Sequence, residues 1–222
     1  MKISSILFAA ATMYFFTACN NGSETTTTNT DSMSANMDTS AAHTSTMPDT
    51  AMSGSGLMKA SDDMMAKMHA VQMSGDFDVD FANMMVEHHQ GAIDMSQVEV
   101  SQGTDEKMKS MAQKILTKQK EEQEMLRDFV KSYKPSGMKH GEGDMQKSMD
   151  DMMNKMKNMQ MSGNVDKDFA TMMISHHEDG MAMQKMEVKN GMADKLKQMA
   201  QKGITEHQKE ISEFKEWLSL KK

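Results

Sequence analysis

From Leu57 to the C-terminus, apolar residues recur in steps of three and four, and no alternating strand pattern is present. Phe81, Met84, Met85, His88, Ala92, Met95 and Glu99 fall on one helical stripe. Met108, Met111, Ala112, Ile115, Gln119, Glu122, Leu126 and Phe129 fall on another. The pattern predicts a short helix over 59–73, a second from Asp80 or slightly earlier to about Val100, and a third over 104–132. Ser74-Gly75 breaks the first and Gly103 stops the second, with Asp78 as the expected N-cap.

The same pattern returns 88 residues later, and 30 of the 69 positions from Asp62 to Val130 match without gaps. That match is a duplication. Asp62-Asp63-Met64-Met65 recurs as Asp150-Asp151-Met152-Met153, and Met84-Met85 with His88-His89 recurs as Met172-Met173 with His176-His177. The copy predicts helices over 144–161, from Asp168 to about Val188 with Asp166 as N-cap, and over 192–219. Its stripes carry Phe169, Met172, Met173, His176, Gly180, Met183 and Glu187, then Leu196, Met199, Ala200, Gly203, His207, Glu210, Phe214 and Trp217. The expected fold is all-α: four long helices in one bundle, with two short Met-rich helices packed against it.

The N-terminus reads as an address. Lys2, an apolar run from Ile3 to Phe16, and Thr17-Ala18-Cys19 make a signal peptide. Phe16-Thr17-Ala18-Cys19 resembles a bacterial lipoprotein processing site, with Phe16 where that pattern prefers Leu. Lipidation of Cys19 would anchor the chain without a transmembrane helix. The expected location is the cell envelope, extracytoplasmic, facing the periplasm or exposed on the surface. Residues 20–56, rich in Thr, Ser, Asn and Asp, read as a flexible tether holding Met33, Met37, His43, Met47 and Met52. The expected divisions are thus 1–19 signal peptide, 20–56 tether, 57–133 first repeat, 134–143 linker with Pro135, and 144–222 second repeat.

Composition changes the picture of the core. The 222 residues include 32 Met but one Trp, two Tyr and eight Phe. Leu and Ile fill cores with better-defined rotamers, so packing alone does not call for this excess. Cys19 is the single cysteine, so soft-metal chemistry must use thioether and imidazole. A formal charge of −7 argues against nucleic acid and suits cations as partners.

Thioether sulfur is a soft donor that selects Cu(I) or Ag(I) over zinc, magnesium or calcium. Met84-x-x-x-His88 and Met172-x-x-x-His176 each project both donors to one side of a helix. His89 and His177 point about 100° away, either to a different contact or as groups that orient the site from behind the ligands. A lone buried histidine is more often a hydrogen-bonded core residue than a ligand. Here the pair occurs twice at the same place, among methionines.

The Met-Met-x-x-His-His core of each copy resembles a small bacterial family long catalogued as a domain of unknown function. The resemblance covers nearly all of residues 60–220. It implies a ferritin-like fold and the metal binding of those members that hold copper or silver in the periplasm. It implies metal roles for Met84, Met85, His88, His89 and Met95, and for Met172, Met173, His176, His177 and Met183. His207 replaces Gln119 in the second copy and adds a potential ligand there.

The expected function is therefore sequestration, tolerance or relay of Cu(I), or of Ag(I), with a copper exporter or chaperone as the receiving partner and no catalysis. The rival is a Met-rich module that grips hydrophobic peptides or a partner protein, which leaves the paired histidines unexplained. A ferritin-like di-iron oxidase needs Glu-x-x-His motifs, and no histidine of the chain has Glu three positions before it. Methionine as an oxidant sink also leaves the histidines unexplained.

Overall fold

Helices form wherever the three- and four-residue period runs. In the computed structural model, which describes residues 49–135 and 142–221, they are α1 (Asp49–Ala70), α2 (Phe77–Gln102), α3 (Glu106–Ser132), α4 (Glu142–Lys157), α5 (Val165–Asn190) and α6 (Asp194–Leu220). Among the described residues there is no strand, and the fold is an all-α bundle. The expected signal peptide, with Cys19, and most of the expected tether lie outside the described residues. No described helix is long and apolar enough to cross a membrane.

Each repeat is a helical hairpin, α2 on α3 and α5 on α6, and the hairpins meet along α2 and α5. Helix α1 lies on α2 and α5, and α4 lies on α5. The expected stripes of α2 and α5 are buried along their whole length. So are those of α3 and α6, except that Met199 and Glu210 are half-buried.

Helix α1 differs most from expectation. It starts at Asp49, inside the stretch read as tether, and ends at Ala70 rather than at residue 73. Extending a nucleated helix costs little. Helix α4 is likewise displaced, ending at Lys157 rather than at residue 161. Past both ends the chain must turn through Gly75 (φ 86°) and Gly163 (φ 82°), in the left-handed region that glycine enters without a Cβ clash.

Three residues divide the work at each of these turns, Asp76, Asp78 and Asp80 at the first and Asn164, Asp166 and Asp168 at the second. Asp80 accepts from Ser74 N (2.6 Å) and Gly75 N (2.9 Å), which fixes the turn, and Asp168 does the same with Ser162 N and Gly163 N. Asp76 and Asn164 are the true N-caps, accepting from Val79 N and Lys167 N. The expected caps, Asp78 and Asp166, sit two residues further along and serve the other repeat. Asp78 accepts from Met192 N (3.0 Å) and Ala193 N (2.8 Å), before α6, whose own N-cap residue Ala193 has no side-chain acceptor. Asp166 accepts from Thr104 N and Asp105 N, both at 2.8 Å, before α3. A carboxylate there also meets the positive end of the helix dipole. These reciprocal contacts hold α2 and α5 antiparallel.

Gly103 and Gly191 do end α2 and α5, in extended conformation (φ −65° and −62°). Their requirement is space: a Cβ would stand 2.2 Å and 2.1 Å from the carboxyl oxygens of Glu99 and Glu187, which fold over them.

The core is built largely of methionine. Met64, Met65 and Met68 of α1 and Met145, Met149 and Met152 of α4 are all buried in one cluster with Met84, Met85 and Met183. Met95, Met172 and Met173 lie in a second cluster, with Met108, Met111, Phe169, Phe214 and Trp217. Burying a methionine side chain contributes roughly 1.5–3 kcal/mol. Much of the methionine excess is therefore core, while Met73, Met153, Met156, Met159 and Met161 pack half-buried against it.

Candidate metal centre

Histidine is placed at the middle of the bundle by the α2 and α5 stripes. His88 and His176 are equivalent positions, and their rings stack at 3.7 Å between centroids. His176 Nε2 lies 2.9 Å from the His88 carbonyl oxygen, which can only accept, so Nε2 carries the proton and Nδ1 the lone pair. Nδ1 has no hydrogen-bond partner, and neither ring nitrogen of His88 has one. His88 is fully buried and His176 nearly so.

Burial governs the charge of these rings. Desolvation, then the neighbouring histidines, holds His88 well below the ordinary imidazole value. Desolvation brings His176 and His177 to about 3 and places His207 well below its usual range. These four rings are neutral at pH 7, the form that donates to a metal. Buried imidazoles without partners are costly, so their concentration is a candidate functional feature.

The donors fall into two groups. Around His176, a small void of about 10 Å³ is lined by Met64 of α1, Met95 of α2, Met152 and Met156 of α4, and Met172 and His176 of α5. That volume is about one water or one ion. Methionines of four helices thus line one void with one imidazole. Ser61 donates to the Met156 sulfur (3.0 Å), and Lys155 pairs with Asp179 at the rim. In the first copy the equivalent methionines, Met68, Met84, Met152 and Met183 with Met64, share one core cluster. Gly91 stands there where the second copy has Asp179, and the Met64 sulfur occupies the position a Cβ would take.

The second group faces away. His89 Nε2 lies 3.3 Å from Glu122 Oε2, and His177 Nε2 lies 2.8 Å from Glu210 Oε2. His207 stacks on His177 at 4.4 Å with the planes 11° apart. Gly180 leaves room between the groups: a Cβ there would stand 3.0 Å from His88 Cε1 and 3.3 Å from His207 Cε1.

Of the expected ligands, the structure joins Met95, Met172 and His176, and separately His177 and His207. Met85 lies beside His89 and Glu122 in a narrow crevice. Met84 and Met183 pack in the first core cluster and Met173 in the second. Sequence reasoning passed over Met64, Met152 and Met156 as ligands because they reach the void from other helices. It also passed over Glu122 and Glu210 as site residues, although His207-x-x-Glu210 was visible as an i, i+3 pair.

One family model matches the chain twice, over residues 20–130 and 123–218. The chain belongs to the family described as domain of unknown function DUF305. The two DUF305 matches overlap at residues 123–130, within α3, and the sequence repeat is the pseudo-symmetry of the bundle. No curated protein and no solved structure matches this DUF305 chain.

Proposed function

We propose that the protein binds soft monovalent metal ions, Cu(I) first and Ag(I) by the same chemistry. The observation that carries this reading is the void lined by His176, whose Nδ1 has no hydrogen-bond partner, and by the methionines of four helices. Cu(I) takes two to four soft ligands, and thioether with imidazole discriminates against hard cations. The void is small and lined mainly by methionine, which suits retention of an ion rather than turnover. The role is sequestration, tolerance or relay, with no catalysis, and a copper exporter or chaperone would receive the ion.

A processed, lipidated Cys19 would put this domain in the cell envelope. Intact-mass analysis of membrane fractions, with and without Cys19→Ala, tests the anchor.

The peptide-gripping reading requires methionine on the surface. Among the described residues, the exposed large hydrophobics are Met125, Met192 and Leu220, while most methionines are buried or half-buried. Cu(I) competition titration separates the readings, since only the metal site depends on His176.

A further inference from the structure

Divergence between the repeats changes the chemistry at one point of the bundle. Position 119 is Gln in the first copy, and its equivalent 207 is His in the second. His207 completes a set of three. One donor atom from each of His177, His207 and Glu210 lies within 4.8 Å of the other two. His177 is fully buried and His207 is 1 % exposed; His177 Nδ1 and both ring nitrogens of His207 have no hydrogen-bond partner, and His177 Nε2 faces Glu210 Oε2 at 2.8 Å. Glu210 supplies the carboxylate, with Oε2 toward His177 and Oε1 3.4 Å from Lys118 Nζ.

This donor set differs in kind from the methionine void. Two neutral imidazoles and one carboxylate are the ligands of borderline divalent cations, and three protein ligands leave a position open for water. A route in exists. A groove of about 260 Å³ between α3 and α6, lined by Lys118, Glu206, Glu210 and Met111 among others, reaches Glu210. Lys118 has an alternative partner in Glu206, at 2.9 Å, to which it can withdraw when a cation takes the Glu210 carboxylate.

We propose that His177, His207 and Glu210 form a second metal site, selective for a divalent transition cation such as Zn(II) or Cu(II) and separate from the thioether site at His176. The first copy has no such site. There His89 and Glu122 stand 3.3 Å apart, and Gln119 offers an amide in place of the third ligand. The chain therefore holds one divalent ion, in the second copy alone.

The test is calorimetric titration of the whole chain with Zn(II), once metal-free and once preloaded with Cu(I). One Zn(II) per chain is expected in both states. His207→Gln should weaken Zn(II) by at least about tenfold, the loss that removing even an outer partner of a ligand produces. Because it installs the residue the first copy already carries, the fold should tolerate it. Gln119→His should raise the count to two. Zn(II) affinity within twofold of the parent in His207→Gln, a Gln119→His chain that still takes one ion, or displacement of Zn(II) by one equivalent of Cu(I) would overturn the assignment. A chain that takes Zn(II) in the His207-dependent way but no Cu(I) would support this site and refute the soft-metal reading.

Discussion

Lys118 and Glu206 occupy equivalent positions in the two repeats and pair with each other, Nζ to Oε2 at 2.9 Å. Only residues beside the pseudo-two-fold axis can meet their own counterparts. His88 and His176 do the same, stacking at 3.7 Å. A symmetric pair of identical chains would place like charges together at the first position, an arrangement that costs stability. Divergence after duplication replaced repulsion with an ion pair.

Lys118→Glu should therefore destabilise the fold by roughly 1–2 kcal/mol, because Glu206 and Glu210 then face a third carboxylate. Combining it with Glu206→Lys should recover most of the loss. Urea unfolding of the two single variants and the double variant closes the cycle, and additive losses would show that the two positions do not interact.

Asp78 and Asp166 each hold the start of a helix in the opposite repeat. Replacing either with Ala should cost about 1–2 kcal/mol, the loss of a capping acceptor. Hydrogen exchange locates the effect. Asp78→Ala should speed exchange at Met192 and Ala193, and Asp166→Ala at Thr104 and Asp105.

Glu99 and Glu187 set the alkaline side of the stability profile. Burial, then the Asp166 carboxylate, raises Glu99 to about 8, and burial, then Asp78, raises Glu187 to about 8. Between the ordinary glutamate value and about 8, the folded state holds protons that the unfolded chain has lost. Stability falls as pH rises through that window, by up to about 1.4 kcal/mol per pH unit for each group. The buried histidines act with the opposite sign. Their folded values are lowered, so their contribution is present above about 6.5 and is lost as pH falls toward about 3. Metal-free protein should thus be most stable near pH 6.5–7. Glu99→Gln with Glu187→Gln should flatten the decline from there to pH 8, and an unchanged slope in thermal melts would count against the assignment.

Much of the fold was legible because helix periodicity and an 88-residue repeat are strong signals. The α2 and α3 stripes were read residue by residue, and the opposite direction of His89 follows from 100° per residue. The roles of Asp78 and Asp166 were not legible. Asp76, Asp78 and Asp80 are all good N-terminal residues, and only the antiparallel meeting of α2 and α5 assigns the middle one to the other repeat. The methionine void was hidden for the same reason. Met84-x-x-x-His88 spacing describes one helix, whereas Met64, Met152 and Met156 reach His176 from α1 and α4.

Within the thioether site the histidine should matter more than any single methionine. His176→Ala should weaken Cu(I) by at least about tenfold, since it removes the only imidazole lining the void. Met156→Leu should cost less, as the remaining methionines can repack. His69→Ala, at an exposed position of α1, should leave affinity unchanged.

The most direct measurement is titration of the metal-free protein with Cu(I) against a chromogenic Cu(I) chelator, with Fe(II) in parallel. The account predicts that the protein takes at least one Cu(I) per chain from the chelator, that His176→Ala reduces this, and that Fe(II) binds weakly. A protein that leaves all Cu(I) with the chelator would contradict it.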